Sequence, residues 1–109
     1  SDFASGPYGT AKSAIVAYVQ GLAQQLAEKG IRANTVSPGN TYFPGGVWES
    51  IESENPEFFE QAMSLNPTGR MGTPKEIAAG VVFISSPVSS FTTGTNLVID
   101  GALTRGIQF

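Results

Sequence analysis

A long amphipathic helix that runs almost directly into a short apolar strand is the feature that most constrains the fold of this chain. In residues 7–29, apolar side chains recur at spacings of three and four, the period of one helix face. Gly30 is a typical helix stop, and residues 31–37 have the composition of a short buried strand. A helix that feeds into a strand in this way is half of a strand–helix–strand unit. We therefore predict an α/β fold with a parallel sheet.

The composition argues against several classes of partner. The 109 residues are 40% hydrophobic, a globular value, and they carry a net charge of −3 without a cluster of basic residues. A nucleic-acid partner is therefore not expected. The longest apolar run, residues 78–84, is far too short to cross a bilayer, so no membrane association is expected either.

The absence of histidine and cysteine from the sequence narrows its chemistry. Ser-His-Asp and Cys-His catalysis are excluded within this chain, and no metal site is expected. No disulfide can form, which fits a reducing compartment, and we expect a cytoplasmic protein. Tyrosine, lysine, carboxylates, hydroxyls and backbone amides remain as candidate catalytic groups.

Tyr8 and Lys12 are the candidate catalytic pair. Four residues apart on the predicted helix, they project from the same face, one turn apart. A phenol is a poor acid at neutral pH, but an ammonium about 4 Å away favours the phenolate by about 4 kcal/mol at an effective dielectric of about 20. That attraction would let Tyr8 donate or accept a proton at physiological pH. The alternative is a tyrosine and a lysine that merely share a helix face.

Residues 38–41 follow the predicted strand at the edge where ligands bind. In open parallel sheets, ligands lie beyond the carboxyl ends of the strands. Pro38, Gly39, Asn40 and Thr41 are therefore candidate ligand-binding residues, and Gly39 would let the backbone approach a ligand closely. The alternative is an ordinary turn, because Pro-Gly pairs are common there.

Residues 42–66 are predicted to form a substrate lid. The run Phe-Pro-Gly-Gly at residues 43–46 supplies a hinge, and the stretch after it is rich in aromatic residues and carboxylates. Such an insertion beside a ligand edge is what a lid would look like, with Tyr42, Phe43 and Trp48 as candidate substrate contacts. The alternative is an amphipathic segment that packs rigidly on the sheet. Within it, Asn-Pro-Glu at residues 55–57 predicts a helix start.

The rest of the chain predicts one more helix and one more strand. Thr73 and Glu76 form a capping box, so a helix should begin there and run to about residue 85. Residues 86–90 are predicted to be loop and residues 96–100 to be the second strand. Residues 103–109 are predicted to be a tail.

Five motifs follow one another along the chain: Tyr-Gly-Thr-Ala-Lys at 8–12, Ile-Arg-Ala-Asn-Thr-Val-Ser-Pro-Gly at 31–39, Arg-Met-Gly-Thr-Pro-Lys-Glu-Ile-Ala at 70–78, Thr-Gly at 93–94 and Val-Ile-Asp-Gly at 98–101. Together they resemble the short-chain dehydrogenase/reductase family. Each is weak alone, but all five occur in the family's order and spacing and cover nearly the whole chain. The chain is similar to 3-oxoacyl-(acyl-carrier-protein) reductase-like and to sugar or polyol dehydrogenase-like members.

The resemblance implies a Rossmann-like, doubly wound parallel sheet and hydride transfer between NAD or NADP and a ketone or alcohol. Tyr8 would be the general acid/base, and Lys12 would assist it and bind the nicotinamide ribose, so that both residues also contact the cofactor. Residues 38–41 would line the nicotinamide and its carboxamide. The resemblance also implies a small-molecule carbonyl or alcohol substrate and a homo-oligomer.

Two residues depart from the family pattern. Phe43 replaces the threonine usually found four residues beyond the glycine, so the carboxamide contact must come from elsewhere, such as Thr41 or backbone groups. Ala102 stands where a second glycine is common.

The family's glycine-rich dinucleotide loop, catalytic Asn and catalytic Ser all precede the tyrosine, and none is found before Tyr8. We therefore expect residues 1–109 to be one partial domain, the C-terminal part of such an enzyme, inactive without the main dinucleotide-binding half. The alternative is a non-catalytic interaction or oligomerisation module derived from the same fold.

Overall fold

The computed structural model describes residues 6–105. Within them, the α-helices are α1 (Pro7–Leu26), α2 (Val47–Glu54), α3 (Pro56–Leu65) and α4 (Pro74–Ser85). Short 3-10 helices span Ala27–Lys29 and Pro87–Ser89, and the strands are β1 (Thr35–Pro38) and β2 (Asn96–Ile99).

The two strands pair in parallel. The Thr35 N–H donates to the Thr95 carbonyl at 2.9 Å, and the Gly39 N–H donates to the Ile99 carbonyl at 2.8 Å. Both strands advance by four residues between these bonds, as a parallel ladder requires. The predicted α/β class with a parallel sheet is therefore confirmed.

The helix ends follow local signals that the sequence contains. The Thr73 hydroxyl accepts from the Glu76 N–H at 3.2 Å while the Glu76 carboxylate accepts from the Thr73 N–H at 3.1 Å, so the predicted capping box is confirmed. Asn55 caps α3 through a bond from the Phe58 N–H at 3.3 Å, also as predicted. α1 ends at Leu26, and a 3-10 turn carries the chain on to Gly30, which has a φ of 73°.

Two boundaries were predicted wrongly. β1 begins at Thr35 and not at residue 31 as predicted. The Ala33 N–H donates to the Thr93 hydroxyl at 3.1 Å and the Ala33 carbonyl accepts from the Gly94 N–H at 2.8 Å, so Ala33 pairs with a turn and not with a strand. The predicted loop at residues 86–90 contains the 3-10 helix Pro87–Ser89, which Ser86 caps by accepting from the Val88 N–H at 3.2 Å. The predicted tail lies partly outside the described residues, and residues 103–105 have no regular structure.

The chain divides into two compact units. Of the described residues, one unit contains residues 6–36 together with Phe83–Leu97, and the other contains Ser37–Val82 together with residues 98–105. Ala23 and Ile84 are buried apolar residues of the first unit. The second unit holds a small hydrophobic core, formed by Phe59, Ala62 and Met71 with Tyr42, Trp48, Ile51 and Met63 packed against them.

Candidate active site

Tyr8 and Lys12 lie together on the first two turns of α1, where Pro7 occupies the first helical turn. The Lys12 Nζ lies 5.4 Å from the centroid of the Tyr8 ring and over its face. An ammonium at this distance is attracted by the π electrons of the ring. The Tyr8 side chain is 53% exposed, so a ligand can reach it.

The turn after β1 is held by its own backbone groups. The Gly39 N–H is bonded to Ile99, and the Gly39 carbonyl accepts from the Thr41 hydroxyl at 3.0 Å. The Asn40 carbonyl accepts from the Gly72 N–H at 2.9 Å. The groups that this turn can offer a ligand therefore include the Asn40 side chain and the lone pairs of the Thr41 hydroxyl.

Gly39 is required for a reason that differs from the predicted one. A Cβ at this position would lie 2.6 Å from the Asp100 Cβ and 2.8 Å from the Asp100 Cα, much closer than real side chains allow. The close approach that this glycine permits is therefore to Asp100. A ligand contact at Gly39 stays a prediction.

An open apolar depression brings three of the predicted site residues together. Pro38, Thr41 and Phe43 line it, and so do the residues of α4 that face them, namely Pro74, Ile77, Ala78 and Val81. Among the described residues that line it, only Thr41 has a polar side chain. The depression therefore presents flat apolar surface and one hydroxyl.

A smaller polar cavity of about 80 Å³ lies in the same unit. Its lining contains Asn40 together with Asn66, Thr68, Arg70, Gly72, Glu76, Ile77, Ile99, Asp100 and Gly101. Asn40 is the predicted site residue that faces this cavity. The sequence motifs did not single out Asn66 as a site residue, because an Asn-Pro pair at the end of a helix indicates only a break in the chain.

Two carboxylates in the lining of the polar cavity are held by hydrogen bonds. Both Nη atoms of Arg70 donate to Glu76 at 2.8 Å. These bonds, with those from the Thr73 N–H and hydroxyl, lower the pKa of Glu76 to about 2. Burial acts to raise the pKa of Asp100, but the hydrogen bonds that it accepts, first those from Thr104, outweigh burial and lower it.

The three predicted substrate contacts differ in environment. The Tyr42 ring meets the Phe59 ring edge-on at 6.0 Å, and its hydroxyl donates to Glu52 at 2.7 Å, a bond that raises the pKa of Tyr42 to about 12. Trp48 stacks on Phe58 at 6.0 Å. Tyr42 and Trp48 therefore pack with the core, whereas Phe43 is 44% exposed on the apolar depression. Substrate contact by these residues stays a prediction.

The predicted hinge is a packed turn. The Gly46 N–H donates to the Phe43 carbonyl at 3.0 Å, and a Cβ on Gly46 would lie 2.9 Å from the Phe43 ring. Gly45 has a φ of 83°, which favours glycine. The two glycines are thus explained by the turn itself, and the mobility of residues 42–66 stays a prediction.

The described part of the chain contains neither a metal-binding cluster nor a membrane-spanning helix. Between residues 6 and 105, no group of three or more acidic, histidine or cysteine side chains is placed to hold a metal ion. No helix in that range combines the length and the apolar character that a bilayer crossing needs.

Similarity to known proteins extends over nearly the whole chain. Residues 3–104 match the family profile described as enoyl-(acyl carrier protein) reductase. The chain is 43% identical over 102 residues to isoepoxydon dehydrogenase from Penicillium expansum, an alignment that covers 94% of this chain and 39% of that protein. It is 36% identical over 103 residues to L-fucose dehydrogenase from Bos taurus, covering 92% of this chain and 37% of the relative.

A solved structure shows the same likeness in three dimensions. An oxidoreductase of the short-chain dehydrogenase/reductase family from Burkholderia thailandensis superposes with a TM-score of 0.78 at 35% identity, covering 88% of this chain and 37% of that one. The chain thus spans about two-fifths of the length of the curated relatives it matches. The profile match, the sequence identities and the shared structure together show that this chain belongs to the short-chain dehydrogenase/reductase family.

Proposed function

We propose that the chain is part of an NAD- or NADP-dependent oxidoreductase that interconverts a ketone and an alcohol. The observation that carries the proposal is the Lys12 ammonium, which lies 5.4 Å from the Tyr8 ring on an exposed helix face. The names of the two relatives, both dehydrogenases, support it. The substrate that we propose is a small molecule with a carbonyl or a secondary alcohol.

Tyr8 is the proton donor in the direction of reduction. As negative charge develops on the carbonyl oxygen of the substrate, the Tyr8 hydroxyl gives it a proton, and in oxidation the phenolate takes that proton back. The positive charge of Lys12 stabilises the phenolate that remains after the transfer. A bound nicotinamide supplies or accepts the hydride. Lys12 is also proposed to bind the nicotinamide ribose.

The apolar depression fits the nicotinamide ring. Pro38 and Phe43 offer flat apolar surface to a ring, and Thr41 offers the one hydroxyl of the lining. Since the Thr41 hydroxyl donates its own hydrogen to the Gly39 carbonyl, its lone pairs are left to accept from the carboxamide NH₂. Thr41 thereby replaces the threonine that is absent at position 43. Asn40 and Gly39 hold the turn in place.

Tyr8→Phe tests the proposal, because it removes one proton and little contact area. In the full-length enzyme, we expect turnover to fall by about two to four orders of magnitude while the affinity for the cofactor stays within about twofold. Tyr18→Phe is the matched control, since Tyr18 lies on the same helix and is 70% exposed; it should leave turnover unchanged. Lys12→Met should reduce both turnover and cofactor affinity. A Tyr8→Phe variant that turns over within a few-fold of the wild type would contradict the assignment.

We also propose that the protein is a cytoplasmic homo-oligomer. Ile15 and Tyr18 on α1, and Val82 on α4, are large apolar side chains that this chain leaves exposed, and burial of such surface stabilises association. The lack of cysteine fits a reducing compartment. Sedimentation of the protein should give a mass above that of one chain, and a monomer at micromolar concentration would exclude the oligomer.

A further inference from the structure

Asn66 is a buried polar side chain at the end of α3. It is only 7% exposed, and its amide makes hydrogen bonds on both sides. Nδ2 donates to the Asp100 carbonyl at 3.0 Å, while Oδ1 accepts from the Thr68 N–H at 2.9 Å and from the Thr68 hydroxyl at 2.7 Å. A flipped amide would place its NH₂ group against the Thr68 N–H, so this orientation is fixed.

Asp100, the residue that Asn66 holds, touches the end of β1. A Cβ on Gly39 would lie within 2.8 Å of the Asp100 Cα, so the two backbones are in direct contact. The Gly39 N–H also donates to the carbonyl of Ile99, the residue before Asp100. The position of Gly39 therefore depends on the position of the Asp100 backbone.

The turn that begins at Asp100 is fixed from two sides. On one side, the Asp100 carboxylate accepts hydrogen bonds from the Thr104 N–H at 3.0 Å, from the Thr104 hydroxyl at 2.8 Å and from the Ala102 N–H at 3.0 Å. On the other side, Asn66 packs so closely that a Cβ on Gly101 would lie 3.1 Å from its Oδ1. Asn66 thus joins this turn to the end of α3.

We propose that Asn66 is a positioning residue for the nicotinamide-binding turn at residues 38–41. By holding the Asp100 carbonyl, it sets where Gly39 lies, and the Gly39 carbonyl in turn holds the Thr41 hydroxyl. This role rests on the proposed function, in which Thr41 accepts a hydrogen bond from the carboxamide. Asn66 acts through Asp100 and needs no contact with the cofactor.

Asn66→Asp is the sharpest test, because a carboxylate keeps both acceptors for Thr68 but has no donor for the Asp100 carbonyl. In the full-length enzyme, we expect the KM for the nicotinamide cofactor to rise about tenfold, as for the loss of one buried hydrogen bond. The kcat should stay within about twofold, because Tyr8 is untouched. Thr68→Val is the matched control: it removes a bond on the other side of the amide and should leave the KM within about twofold.

The amide NMR resonances of Gly39 and Thr41 in the cofactor-free protein give a readout that does not depend on activity. Asn66→Asp should shift both resonances, and Thr68→Val should leave them in place. Shifts of this kind in a full-length protein that binds neither NADH nor NADPH would support the positioning by Asn66 and overturn the proposed function alone.

The opposite pattern would overturn the inference alone. In that pattern, the wild-type protein binds the cofactor, but Asn66→Asp changes neither the KM nor the Gly39 and Thr41 resonances. Should the Asp variant fail to fold, Asn66→Ser removes the amide donor without adding a charge. Because it also removes the Oδ1 acceptor, its KM and its resonances are compared with those of Thr68→Val.

Discussion

Ala102→Gly should stabilise the protein, although it deletes a methyl group. Ala102 has a φ of 68°, the one positive φ at a non-glycine position among residues 6–105. A left-handed backbone costs an L-residue about 1–2 kcal/mol, while the added freedom of glycine in the unfolded chain costs about 0.4–1 kcal/mol. Ala102 is exposed, so its methyl buries little surface. Its N–H bond to the Asp100 carboxylate is a backbone bond and remains. The net stabilisation should be about 0.5–1 kcal/mol.

The matched control is Ala27→Gly. Ala27 is also exposed, but its φ of −58° and ψ of −41° are those of a right-handed helix. The same deletion there should destabilise by about 1 kcal/mol. Urea denaturation followed by circular dichroism measures both variants, and the free energies of unfolding should move in opposite directions. If Ala102→Gly destabilises as much as Ala27→Gly does, the argument from backbone strain is wrong.

Two further predictions concern ionisable groups. The pKa of Glu76 is lowered from 4.5 to about 2, so its contribution to stability should be complete above about pH 4.5 and lost as the pH falls toward 2. In denaturation at a series of pH values, the difference in unfolding free energy between Glu76→Gln and the wild type should shrink over that window. A constant difference would contradict the lowered pKa. The pKa of Tyr42 is raised from 10.0 to about 12, chiefly by its hydrogen bond to Glu52, so ultraviolet titration should show one tyrosine ionising near pH 12. Glu52→Gln should bring this ionisation back toward pH 10. A titration curve that this substitution leaves unchanged would exclude the Tyr42–Glu52 hydrogen bond.

The features that the sequence predicted well depend on neighbouring residues. The capping box of Thr73 and Glu76 and the cap by Asn55 each join groups three residues apart, so a short window of sequence contains both partners. The placement of Tyr8 and Lys12 on one helix face follows in the same way from their spacing.

The features that the sequence did not predict depend on distant partners. Arg32 was assigned to a strand, but its guanidinium donates to the carbonyls of Ile84 at 2.8 Å and Thr92 at 3.0 Å, more than 50 residues away. These bonds belong to a segment that precedes the strand, and no pattern near Arg32 reveals them. The close contact of Gly39 with Asp100 was likewise not predicted, because Asp100 is 61 positions further along the chain.

Single-turnover hydride transfer with saturating cofactor tests the central claim most directly, because it removes cofactor binding from the measured rate. The claim is that the Tyr8 hydroxyl, with Lys12 beside it, transfers the proton to and from the substrate oxygen. In the full-length enzyme, Tyr8→Phe should slow this step at least about 100-fold, whereas Tyr18→Phe should leave it at the wild-type rate. A Tyr8→Phe rate within a few-fold of the wild type at saturating cofactor would contradict this claim.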